Sequence, residues 1–389
     1  MFMKEQKVTL GILLTNLFIA FLGIGLVIPV LPTIMNELNI SGAIVGYMVA
    51  AFAITQLIVS PFAGKCTDKY GRKIMIVLGL FIFGFSELLF GIGKTVSVLF
   101  ISRMLGGLSA AFIMPAVTAF IADITTMATR PKALGFMSAS ISTGFIIGPG
   151  IGGFLAEYGN RVPFFAAAIL GIVAAICSLI LLKEPERNEE EEAVEKQASG
   201  FRRIFVPMYF IAFILIFVSS FGLAAFESLF SLFVDHKFSF TPKDIAIVIT
   251  GGAIVGAVAQ VALFDGLTKR LGEIVLIRYC LVISALLVFT MTFVQSYAAI
   301  LMTTFLVFVG FDLIRPAITS YLSKIAGKEQ GFVGGMNSMF TSLANIFGPI
   351  IGGALFDINL NYPYYFATIV LILGIIIAMF WKKPQNTIS

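Results

Sequence analysis

Five charged residues stand inside runs that are otherwise apolar: Glu87, Arg103, Glu227, Asp312 and Arg315. The stretch FVGFDLIRPAIT, residues 308–319, holds two of them. Asp312 and Arg315 are three residues apart, which puts them on one face of a helix. A charge at the centre of a lipid layer costs at least ~2.5–3.5 kcal/mol on insertion scales. Ions kept there are expected to be paired, to line a wet cavity, or to do chemistry. The chemistry open to a carboxyl group beside a guanidinium is proton exchange. Low dielectric favours the neutral acid, and a neighbouring arginine favours the carboxylate. Asp312 and Arg315 also fit a plain structural clip, although buried ion pairs stabilise weakly. Glu227 has no base one helical turn away, so it needs a partner on another span, contact with water, or a proton. Glu87 lies nearer a helix end and is expected to snorkel, which ranks it below the other four.

The elements that hold these residues follow from composition. The chain of 389 residues is 59% hydrophobic and 12% charged, against about 25% charged in a soluble domain. About 20 apolar residues at 1.5 Å each cross a 30 Å hydrocarbon layer. The uncharged runs predict an all-α integral membrane protein with twelve spans, at 8–32, 42–63, 74–93, 97–122, 133–157, 162–182, 205–234, 243–264, 274–294, 298–322, 332–356 and 362–381. No period-2 alternation suggests a membrane β-barrel. The first span is too long for a signal peptide and has no A-x-A site, so it is expected to stay in the mature protein. Basic residues set the orientation. With both termini cytoplasmic, 19 of the 26 Lys and Arg residues fall in inner segments, while Lys94, Arg161, Lys237 and Lys243 fall outside. Arg103, Arg278 and Arg315 are within spans. This bias accounts for the net charge of +5 without nucleic acid. Cys66, Cys177 and Cys280 have neither metal-ligand nor disulfide spacing, and the single histidine, His236, reads as a surface residue. No metal or other cofactor is expected.

The segment KEPERNEEEEAVEKQASGFRR, residues 183–203, reads as a solvated linker. It divides the chain into six-helix bundles at 1–182 and 204–389. The two halves repeat at an offset of about 200 residues. GPGIGG at 148–153 matches GPIIGG at 348–353, MPAVT at 114–118 matches RPAIT at 315–319, and GKCTDKYGR at 64–72 lies opposite DGLTKRLGE at 265–273. Asp312, Arg315 and Glu227 then fall opposite Ala111, Met114 and Val27, so the fold does not need charge there for packing alone. A parallel repeat of six spans is the layout of many secondary transporters, with the ligand site near mid-bilayer where the halves meet. GPGIGG also matches the dinucleotide pattern G-x-G-x-x-G, but it sits inside an apolar span with no strand before it. Gly144, Gly148 and Gly152, four residues apart, read instead as a smooth ridge for a neighbouring helix, with Pro149 removing one backbone donor and bending the span. IGKT at 92–95 has Leu88 where a P-loop needs glycine, so ATP is not the expected energy source.

Three motifs resemble the major facilitator superfamily across residues 8–381, and more narrowly its twelve-span drug:proton antiporters of the Bmr and NorA group. They are GKCTDKYGRK with Gly64, Asp68, Gly71, Arg72 and Lys73; LFISRMLGGLSAA with Arg103; and GFIIGPGIGG with Gly144, Gly148, Pro149, Gly152 and Gly153. One departure stands out: the second loop has Lys269 in place of Asp68 and Glu273 in place of Arg72, so any locking there should be weaker or different. The resemblance implies a monomeric proton-coupled exporter of lipophilic, often cationic, small molecules across the bacterial cytoplasmic membrane, and not an enzyme. It implies an ion-pair latch at Asp68, a rocking contact at the glycine ridge, and proton coupling by Glu227 and Asp312 tuned by Arg103 and Arg315. Cargo and proton compete for those acids. Aromatic rings attract cations and methionine adapts to varied partners. Phe145, Phe226 and Phe311 are therefore expected to touch cargo along with Glu227 and Asp312. A proton-coupled nutrient symporter and a lipid flippase of the same fold are the alternatives.

Overall fold

The computed structural model describes residues 4–126, 129–185, 207–326 and 330–381. All of its regular structure is helical. The first span, Gln6–Leu38, is α1 (Lys4–Val27) and α2 (Leu31–Leu38) joined by a 3₁₀ turn at Ile28–Val30. Pro29 and Pro32 remove backbone donors there, which is why the α-helical ladder is interrupted. There follow α3 (Gly42–Tyr70), α4 (Arg72–Ile92), α5 (Val96–Ile124), α6 (Arg130–Ala156) and α7 (Val162–Leu181). The second set is α8 (Pro207–Phe238), α9 (Pro242–Leu271), α10 (Glu273–Met291), α11 (Tyr297–Ala326), α12 (Gln330–Ile358) and α13 (Tyr362–Phe380). Among the described residues, 12 helical segments are long and apolar enough to cross a membrane. They coincide with the twelve expected spans to within a few residues at most ends. Large apolar side chains such as Ile58, Phe62 and Val261 point outward, as lipid-facing helices require.

The main departure lies in the repeated loop. Gly64–Tyr70 is the last part of α3, not a loop, and Asp265–Leu271 likewise ends α9. Neither segment holds a proline, and each helix runs on to a glycine with positive φ, 103° at Gly71 and 77° at Gly272. Those two glycines make the turns, because that backbone conformation strains any residue with a Cβ. Of the expected linker, residues 186–203 lie outside the described residues, while Lys183–Pro185 follows α7 without regular secondary structure.

The chain forms two compact units, residues 1–41, 48–191 and 234–250 in one, and 42–47, 192–233 and 251–389 in the other. The first unit includes the end of α8 and the start of α9, Val234–Thr250, and the second includes the start of α3, Gly42–Tyr47. In the second unit, Gly42 and Ala43 donate backbone N–H groups to the Asp357 carboxylate, at 2.6 and 3.0 Å. In the first, Lys243 pairs with Glu157 at 2.8 Å. Within the first unit α1 lies along α6 and α7, and α4 along α5 and α7. Leu13 and Leu17 of α1, Ile76 and Leu80 of α4 and Phe120 and Ile121 of α5 share its core. In the second unit α10 lies along α11 and α13.

Candidate functional site

In the second unit α8 carries Glu227, and α11 carries Asp312 and Arg315. Glu227 and Arg315 are exposed and Asp312 is half-buried. Glu227 feels the charges of both α11 residues, so the partner that its own helix lacks is on another span. Asp312 and Arg315 make no direct ion pair among the described residues, so the pair is not a closed clip. Gly256 of α9 faces Asp312, and a Cβ there would overlap the carboxylate. The glycine thus holds open the space that the acid occupies.

Two expected cargo contacts are placed differently. Phe226 is fully buried, 5.1 Å from the Phe230 ring and edge-on to Phe308 and Tyr364. Phe311 is 3% exposed and lies against Gly222. Successive helix residues point about 100° apart, so the ring beside an accessible acid turns into the core. Phe145 of α6 is 40% exposed and lies 4.9 Å from Phe21 of α1. Phe305 is half-buried against Gly251 and lies seven residues from Asp312, on the same helical stripe.

In the first unit two reciprocal serine bonds fix the register of α4 on α5. Ser86 donates to the Ser102 carbonyl and Ser102 to the Ser86 carbonyl, each at 2.8 Å. Two turns further along α5, Ser109 donates to the Gly79 carbonyl at 2.7 Å. This register brings the next residues together, Arg103 Nη2 and Glu87 Oε1, at 3.6 Å. The Glu87 side chain is 3% exposed, so it does not snorkel: the α5 arginine gives it a partner inside the bundle. The Arg103 guanidinium also lies 4.3 Å from the Phe90 ring centroid, a favourable cation–π distance. Glu87 Oε2, Arg103 Nε and Arg103 Nη2 hydrogen-bond to no protein group. The pair borders a cavity of about 30 Å³ in water-centre positions, lined also by Phe21, Phe52, Phe83 and Met114. That is room for a water or two.

The turn at Gly71 holds a network. The side chain of Arg72, at the start of α4, meets Asp68 at 3.1 Å and Asp123 of α5 at 3.0 Å. It also donates to the Thr67 carbonyl at 3.0 Å. Glu184 accepts the backbone N–H groups of Arg72 and Lys73. It supplies an acid where the dipole at the N-terminus of α4 favours one, a role its place in the linker had hidden. Asp68 itself is largely exposed. The second unit reverses the signs: Glu273, at the start of α10, pairs with Lys324 of α11. These two residues fall opposite Arg72 and Asp123 in the repeat. The altered second loop therefore keeps its link in mirror charge.

The glycine ridge of α6 meets the backbone of α1. A Cβ on Gly144 would strike Leu22 N and Phe18 O, one on Gly148 would strike Leu22 O and Gly25, and one on Gly152 would overlap Leu26. Pro149 abuts Gly25, and Gly153 abuts Ala246 and the Pro242 carbonyl. Gly64, by contrast, has open space where a Cβ would be.

A twelve-span helical chain built on a six-span repeat, with ions held inside the spans, is a membrane transporter by architecture. The chain belongs to the Major Facilitator Superfamily, whose model matches residues 13–326 and, in a second match, 212–387. It is 70% identical over 384 residues to multidrug resistance protein 1 of Bacillus subtilis, covering 99% of each chain. It is 45% identical over 374 residues to the quinolone resistance protein NorA of Staphylococcus aureus, covering 96% of each. Among solved structures, a bacterial homologue of the human lysosomal transporter Spinster, inward-facing and occupied, superposes with a TM-score of 0.81 at 14% identity, covering 97% of each chain.

Proposed function

We propose that this protein is a multidrug efflux transporter. It exports lipophilic, often cationic, small molecules across the bacterial cytoplasmic membrane by alternating access, as a monomer with both termini cytoplasmic. The observation that carries this reading is its near-full-length likeness to resistance proteins of two Gram-positive bacteria. Protons drive the cycle. With Arg315 ionised, Glu227 and Asp312 together leave the site one negative charge when both acids are ionised. One proton or one monovalent cation cancels that charge, and binding both leaves an excess positive charge in low dielectric. Loading cargo on the inner side expels the proton. Protons from the outer side then displace the cargo; where the cargo is neutral each proton also draws about 2.3 kcal/mol per 100 mV from the potential. The open face of Glu227 and the space Gly256 leaves beside Asp312 support this assignment.

The test is uptake of a fluorescent organic cation into everted vesicles under an imposed proton gradient. Wild-type protein accumulates the dye and a protonophore abolishes accumulation. Asp312→Asn stays in the membrane but loses gradient-driven uptake. Pumping by the Asn form at the wild-type rate would overturn the coupling role.

A further inference from the structure

We infer that Glu87 is a specificity-determining residue. It neutralises Arg103 and so lets a cationic cargo approach the apolar wall that runs from this pair by way of Phe21 to Phe145, which an uncompensated guanidinium would make repulsive. The inference takes from the efflux reading only the chemistry of the cargo. Its physical basis is the first unit alone. The Glu87 and Arg103 side chains are 3% and 17% exposed, and among the described residues they are the only charged ones lining the cavity between α1, α3, α4 and α5. The other walls near the pair are apolar: Ala20, Phe21 and Ile24 from α1, Phe52 from α3, Ile113 and Met114 from α5. α7, which packs along α4, carries Cys177 as its one titratable side chain, and that thiol is exposed. Among the described residues, Glu87 is the one acid that pairs with the guanidinium.

The pair is not a packing requirement of the fold. In the repeat, Glu87 and Arg103 fall opposite Val288 and Thr304, both fully buried on α10 and α11. At this level the second unit joins the corresponding helices with uncharged side chains. Nor is the pair tightly made, since 3.6 Å is beyond hydrogen-bond range and Glu87 Oε2 has no protein partner. What Glu87 contributes is charge in the right place. Phe21, on the cavity wall, touches the exposed Phe145, so the wall continues from the pair toward an open surface.

The experiment is equilibrium binding, in detergent and without a gradient, of a monovalent organic cation and a neutral lipophilic dye of similar size. Binding needs no proton coupling, so failure of that reading, seen with Asp312→Asn in vesicles, is distinguishable. Glu87→Gln leaves Arg103 uncompensated and should weaken cation binding by roughly tenfold, the scale of one unscreened charge several ångströms away, with the neutral dye changed less than about twofold. Arg103→Gln leaves the opposite charge and should shift cation binding the other way. Glu87→Asp keeps the charge and should restore cation binding to within about threefold. If Glu87→Gln fails to accumulate, the Asp and Arg103→Gln forms decide. Equal losses for both dyes, or cation binding weakened in Arg103→Gln as in Glu87→Gln, overturn the inference.

Discussion

At the residue scale, what distinguishes the embedded charges is what each one faces. Arg278 was indistinguishable in sequence from the arginines of the sites, yet it donates to the carbonyls of Ala378, Met379 and Trp381 at 2.8, 3.2 and 2.8 Å. It caps the C-terminal end of α13, where carbonyls lack helical partners and a cation is favoured. Arg278→Met should cost about 2–4 kcal/mol of stability, since bonds to a charged donor are each worth about 1.5–3 kcal/mol. It should lower the thermal unfolding midpoint while dye transport per folded molecule stays near wild type. Asp312 depends on its neighbour in the opposite sense. Gly256→Ala adds a methyl group where the carboxylate lies. The acid side chain can swing aside, and alanine favours the helix by about 0.5–1 kcal/mol over glycine, so the fold should hold. Transport should fall roughly tenfold or more, as expected when a reacting group is displaced by about 1 Å. Unchanged transport in the alanine form would mean that the acid's position is not critical.

At the element scale, both turns that join long helices, α3 to α4 and α9 to α10, are tied by an ion pair to the far end of the next helix but one. Arg72–Asp123 and Glu273–Lys324 occupy matching positions with exchanged signs. Geometry is thus preserved while charge order is not, and the pair's job is to hold helix ends together. Removing one partner of a pair this well buried costs about 3–5 kcal/mol, so Arg72→Glu or Asp123→Lys alone should destabilise the protein strongly. The double form, which copies the second unit, should recover at least half of that loss in thermal unfolding. No recovery would show that the Thr67, Asp68 and Glu184 contacts of Arg72, rather than the pair itself, define the turn. The sequence made the ridge at Gly144, Gly148 and Gly152 and the repeat legible, because each leaves a spacing. It concealed the helical state of Gly64–Tyr70 and the capping role of Glu184, because polar residues near a span end look like loop until their backbone partners are known.

At the scale of the whole molecule, the spans were legible because lipid imposes one rule on every residue that meets it. The site was legible only in part. Charge inside an apolar run singled out Glu227, Asp312, Arg315 and Arg103 as candidates, but which neighbour shares their face depends on helix rotation, and Phe226 and Phe311 are buried. Summing the embedded charges, with Arg278 set aside because it caps the end of α13, gives a quantity that no single residue has. Glu87 and Arg103 cancel, while Glu227, Asp312 and Arg315 leave one negative charge when all are ionised. If transport exchanges cargo for whatever neutralises that charge, one proton moves in for each monovalent cation moved out, and the cycle carries no net charge. Collapsing the membrane potential should then leave uptake of a monovalent cation by everted vesicles unaltered, while collapsing the pH gradient abolishes it. A neutral cargo exchanged for one proton moves one charge, worth about 2.3 kcal/mol per 100 mV, so its accumulation ratio should respond to potential by roughly fiftyfold over that range. The measurement is transport current from protein reconstituted on a supported membrane, with the two cargoes compared at equal turnover. A sustained current with the monovalent cation would mean that more than one proton crosses per cycle, and that a second embedded acid titrates along with the first.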